Sequence, residues 1–151
     1  MARYSCGVVM LRSLIVGRGT SVVSGLLEDF VHCVYYFAEV LGGGVGYKFR
    51  WGVRGPYSDS LHRDLVRGRL RKVEADVWAH VERLLRRLGC DGSSPRVCLY
   101  LLSIAARLHM VAFSTYPPVD DPVEYIVAKF PGVNRGDVER VWRVLVEEGL
   151  V

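Results

Sequence analysis

Glutamine is absent from this 151-residue chain, asparagine occurs once, at Asn134, and lysine occurs only at positions 48, 72 and 129. Nearly all of the positive charge is therefore arginine. Scarce amides leave little to deamidate on heating, so the composition reads as that of a thermophile, of archaeal type. Long apolar runs are also missing. A bilayer span needs roughly 20 predominantly apolar residues, and the two longest apolar stretches, residues 31–41 and 97–113, are broken by Glu39 and Arg107. Arg3 is followed by a mildly apolar run to Val16, but no cleavage site follows it. The expectation is a soluble, cytoplasmic protein without a signal peptide and without a membrane partner.

Motifs of chemistry are missing too. Cys6, Cys33, Cys90 and Cys98 show no CxxC spacing, which argues against a structural zinc site. In a reducing cytosol the four would be buried thiols. Hyperthermophile cytosols tolerate disulfides, and Cys90 and Cys98 flank a short loop that a bridge would close. No HExxH, nucleophile elbow or phosphate-binding glycine loop occurs. Residues 42–46 are glycine-rich but precede a strand pattern, so they lack the helix N-terminus that makes such loops bind phosphate. His32 and Cys33 are adjacent, about 100° apart on a helix, a poor geometry for a Cys–His pair. His62 has acids nearby but no nucleophile, and His109 sits on an apolar helix as a core residue would. The chain is read as a non-enzyme with no catalytic residue, metal or cofactor.

What is present is helical periodicity. At this length one domain, residues 1–151, is expected. A short helix is predicted over residues 6–16 and a second over 25–41, where Leu26, Leu27, Phe30, Val31, Val34, Phe37, Ala38 and Leu41 recur at three- and four-residue spacing. Tyr47, Phe49, Trp51 and Val53 alternate with Lys48, Arg50, Gly52 and Arg54, which predicts a strand with one aromatic and one basic face. Gly55-Pro56 reads as the turn after it. Ser58 caps a helix to about Arg67, and residues 70–73 are expected to return as a second short strand. Helices follow over 74–88 and 96–113. Asp121-Pro122 and Asn134 start two more.

That order predicts a mainly α (α+β) fold: a winged-helix-like domain with a short β-hairpin and additional C-terminal helices. Residues 1–89 form the winged-helix-like half, and residues 90–151 a helical half ending in a possible helix-turn-helix.

Residues 26–41, the glycine-rich break, Tyr47-x-Phe49, Gly55-Pro56-Tyr57-Ser58 and the following Leu61 and Asp64-Leu65 together resemble the YwgA-like uncharacterised family, which is related to the SocA/GepA (Panacea) antitoxin-type domains. The C-terminal Lys129-Phe130-Pro131, Val141-Trp142 and Gly149-Leu150 are similar to that family's ending. The chain departs from it at Leu27-Glu28-Asp29-Phe30, which is acidic where the family is often basic. The resemblance implies a protein-interaction module of antitoxin or protease-adaptor type, with a toxin or protease component as partner.

Charge supplies the other expectation. Residues 47–72 hold eight basic residues and two acids, in a chain whose net charge is +4. A local basic excess is the footprint of a nucleic-acid or other polyanion site. Lys48, Arg50, Arg54, Arg67, Arg69, Arg71 and Lys72 are the candidate phosphate contacts, with a solvated arginine-rich face as the plainer alternative. Trp51 and Tyr57 are the candidates for binding a protein partner, and both also suit a core role. Arg83 and Arg87 share a helix face and are expected to pair with nearby acids. A homodimer fits either function.

Overall fold

A computed structural model describes residues 25–42, 44–90 and 94–151. The helix expected over residues 6–16 lies outside them. The first described element, α1 (Gly25–Val40), is buried without interruption from Phe30 to Ala38. Burial around the whole circumference requires neighbours on every side. One side of α1 packs on α4 (Pro95–Ser114), and the other meets the hairpin, α2 (Asp59–Val66) and α3 (Ala75–Arg87).

The helix α4 is the centre of the molecule. Leu101, Leu102, Ile104, Ala105 and Leu108 are buried, and it touches α1, α5 (Pro122–Lys129), α6 (Arg135–Glu147) and the second strand. It is long and apolar enough to span a bilayer by length and composition, with 61% of its apolar window buried inside the protein. Ile126 of α5 and Val138, Val141 and Leu145 of α6 complete the core beside it.

Helix boundaries follow side-chain chemistry. Ser58, Ser94, Asp121 and Asn134 each accept a backbone N–H from three residues on, at Leu61, Val97, Glu124 and Asp137. Each satisfies an N–H that the first helical turn cannot. Gly89, with φ +91°, ends α3 in the left-handed conformation that favours glycine. Cys90, directly after it, is bridged to Cys98 near the start of α4, so the loop-closing alternative is the one realised.

The β region differs from the sequence expectation. The strand expected over residues 47–53 is reduced to β1 (Arg50–Gly52), and its partner is β2 (Gly55–Tyr57), antiparallel, with Arg50 opposite Tyr57, Trp51 opposite Pro56 and Gly52 opposite Gly55. The chain therefore reverses at Val53-Arg54, not at Gly55-Pro56. The aromatic and basic alternation holds from Tyr47 to Trp51 and fails at Val53, which is 96% exposed at the turn. Gly52 is needed there, because a Cβ would stand 2.9 Å from Cβ of Tyr57.

Residues 70–73 form no strand. The backbone groups of Arg71 are met by side chains instead: Tyr35 Oη donates to the carbonyl of Arg71 at 3.0 Å, and the N–H of Arg71 donates to Tyr47 Oη at 3.0 Å. A segment served this way has no need of a ladder. The described residues thus form a mainly helical fold, with 63% of them in six helices and one small two-stranded antiparallel sheet.

Candidate nucleic-acid interface and the cleft beside it

The seven predicted phosphate contacts are all exposed, but they fall into two groups. Three are engaged. Arg50 lies 3.4 Å from Asp59 and reaches over the Tyr57 ring. Arg54 lies 3.2 Å from Asp29. Arg71 stands 3.7 Å from Asp64, donates to the carbonyl of Val45 at 3.1 Å and lies over the Tyr47 ring. Each of these pairs crosses between elements and uses charge that a polyanion would otherwise meet.

The other four, Lys48, Arg67, Arg69 and Lys72, have no carboxylate in ion-pair range among the described residues. Arg63, one turn before Arg67 on α2, is in the same position and was not among the predicted contacts. The i, i+4 spacing of Arg63 and Arg67 was the signal for it. Arg63, Arg67, Arg69 and Lys72 therefore form a run from the last turn of α2 into the irregular segment before α3. That segment is anchored by Tyr35, Tyr47 and Asp64, the last accepting from Tyr47 Oη at 2.7 Å. Cations on an anchored backbone lose less freedom on meeting an anion than cations on a loose one.

Arg83 and Arg87 are paired with acids. They bind Glu147 and Glu148 at the C-terminal end of α6, with 3.4 Å from Arg83 to Glu148.

Beside the hairpin lies a cleft of about 390 Å³, lined by Glu28, Asp29, Cys33, Arg50, Arg54 and Tyr57 among others. Burial pushes the Cys33 thiol up to about 12, so it is protonated at neutral pH and is no nucleophile. Burial also raises the Asp29 carboxyl, against the opposing pull of Arg54. Glu28 hydrogen-bonds to Nδ1 of His62, so His62 pairs across helices and not with Asp59 or Asp64. Sequence reasoning missed this Glu28–His62 contact, which spans 34 residues; only the i, i+4 spacing of Glu28 and His32 marked the region.

Trp51 and Tyr57, the predicted partner-binding residues, are both partly buried. Trp51 packs against the core, and Tyr57 stacks on His32 with ring centroids 4.7 Å apart. His109 is buried as expected, hydrogen-bonded to Tyr36 Oη at 2.5 Å and to the backbone of Leu150.

No family model, curated protein or solved structure matches this chain.

Proposed function

We propose that this protein is a non-enzymatic, regulatory nucleic-acid-binding module whose phosphate contacts centre on Arg63, Arg67, Arg69 and Lys72, with Lys48 as a further candidate. The observation that carries this reading is the run of exposed cations between α2 and α3 that have no acidic partner among the described residues. Unpaired cations release phosphate counterions on binding, whereas an arginine already neutralised by a carboxylate contributes little to that term. Arg50, Arg54 and Arg71 belong to the site as supports for the scaffold more than as contacts. In the winged-helix-like version of this proposal, α2 lies toward the polyanion and the preceding hairpin takes the place of a wing.

The test is binding to labelled duplex and single-stranded nucleic acid across a salt series. Changing Arg67, Arg69 and Lys72 together to Ala is expected to lower the slope of log affinity against log salt by about 2 to 3, at just under one per phosphate contact. Changing Arg50 and Arg54 to Ala is expected to move it by less than about one. Equal effects from the two sets would sink the assignment, as would binding that ignores both.

A second reading, the antitoxin or protease-adaptor type of interaction module, has a different footing. Its expected apolar patch at the Trp51–Tyr57 turn is reduced to Val53. The exposed large apolar residues elsewhere include Phe113 at 64% and Tyr116 at 97%, around the end of α4. A protein partner would dock there, and Tyr116→Asp would abolish its capture without touching nucleic-acid binding.

A further inference from the structure

We infer that His32 is the proton-sensitive element of a latch that holds the hairpin and the start of α2 against α1. The argument begins with a hydrogen bond. Nδ1 of His32 accepts the backbone N–H of Ser58 at 3.1 Å. A ring nitrogen that accepts an N–H carries no proton, so the neutral imidazole holds its proton on Nε2. Ser58 is both the residue after β2 and the N-cap of α2. One imidazole nitrogen therefore ties two elements to α1.

The surroundings make that bond intolerant of a second proton. His32 is 1% exposed, and Nε2 has no hydrogen-bond partner among the described residues. Its nearest carboxylate oxygen is Oε1 of Glu28, at 3.7 Å, and that atom is already engaged by His62. The charged and titratable groups facing the ring are Glu28 from α1, Asp59 and His62 from α2, and Tyr57 from β2, with Arg50 of β1 lying over the Tyr57 ring. Phe49 meets it edge-on. A proton on Nδ1 would set a donor against the Ser58 N–H, leave that N–H without an acceptor and hold a charge in a site shut off from water. Separation of the hairpin and the start of α2 from α1 relieves all three.

The direction with pH follows from burial. Desolvation holds His32 down to about 4 in the closed state, against an ordinary 6.5, with Glu28 pulling it partly back. The depressed value means that the open state binds the proton better. Closure is fully favoured above about 6.5 and is lost progressively as pH falls toward 4. A shift of that size raises the open population roughly fifty-fold between pH 7 and pH 4.5.

The test is amide hydrogen exchange on the full chain at both pH values, corrected for intrinsic rate. The amides of Ser58 and of Leu61, which donates to the Ser58 hydroxyl, are expected to open about fifty times more often at pH 4.5, while those of Val138 and Val141 in α6 keep their protection. His32→Asn places an amide oxygen where Nδ1 stands and cannot titrate, so its Ser58 exchange is expected to be flat with pH. Exchange at Ser58 that merely follows α6, or a rise that persists in His32→Asn, overturns the latch. The tautomer supplies a check on the unaltered protein. Nitrogen NMR is expected to find Nδ1 of His32 bare and Nε2 protonated at pH 7; the opposite tautomer overturns the proposal even if the variant does not fold.

Discussion

Tyrosine hydroxyls make the same pair of bonds in each half of the molecule. Tyr47 Oη donates to Asp64 on α2 and accepts the N–H of Arg71. Tyr100 Oη donates to Asp137 on α6 and accepts the N–H of Asn134. In both places one hydroxyl satisfies an irregular segment's backbone and a helix carboxylate together. The difference lies in what surrounds it. Asn134 also caps α6 with its own side chain, binding the N–H of Asp137, so the C-terminal junction is held by local chemistry as well. The Arg71 segment has no cap of its own and relies on Tyr35 and Tyr47 from distant elements. The C-terminal half joins well-capped helices around an apolar core, while the N-terminal half holds its irregular segments by polar contacts across long sequence separations.

The largest test of that contrast lies in the core. Leu108 is fully buried on α4. Leu108→Ala is expected to cost about 2 to 5 kcal/mol, through lost transfer energy and the cavity left behind. Urea unfolding followed by circular dichroism reads it as a lower midpoint at constant slope. A cost under 1 kcal/mol would mean that α4 is not the centre of packing.

The bridge between Cys90 and Cys98 comes next, because it joins the end of α3 to α4 and so links the two halves. Closing so short a loop restricts the unfolded chain modestly, by about 2 to 3 kcal/mol. Cys90→Ala with Cys98→Ala is expected to lower stability by about that amount. Addition of reductant to the double variant should then change nothing further, whereas it should destabilise the unaltered protein once the buried sulfurs are reached.

The same contrast explains what was legible in advance. Ser58, Asp121 and Asn134 announce helix starts because a cap and the N–H it binds are three residues apart, within the reach of local reading. The central burial of α1 and α4 was visible in their apolar spacing. A short hairpin was expected, but the place of its turn was not legible, because Val53-Arg54 lacks turn chemistry while Gly55-Pro56 displays it. The missing strand at residues 70–73 was invisible for a related reason. Its hydrogen-bond partners, Tyr35 and Tyr47, lie 36 and 24 residues away. Of the candidate site, the basic excess was plain in the sequence, but its division into paired and unpaired cations was not. Arg54 finds Asp29 only after the hairpin folds against α1.

The smallest effect is the most direct comparison of the two tyrosines. Tyr47→Phe removes the acceptor of the Arg71 N–H and the donor to Asp64, which keeps the Arg71 guanidinium at 3.7 Å. The Arg71 N–H is part-buried, and a buried donor left unsatisfied costs about 1 to 3 kcal/mol, so its loss is expected toward the lower end of that range. Tyr100→Phe removes the matching pair, but the Asn134 N–H is exposed to water and the Asn134 side chain still caps α6. Its cost is expected at about 0.5 to 1 kcal/mol, the worth of an ordinary net hydrogen bond. Denaturant midpoints of the two variants measured side by side decide the matter. Equal costs would mean that local capping gives the C-terminal junction no advantage. A larger cost at Tyr47, with faster exchange of the Arg71 amide, would identify this hydroxyl as a main support for the segment that presents Arg69 and Lys72. Weaker salt-dependent binding in Tyr47→Phe, with every cation still in place, would then tie that support to the proposed function.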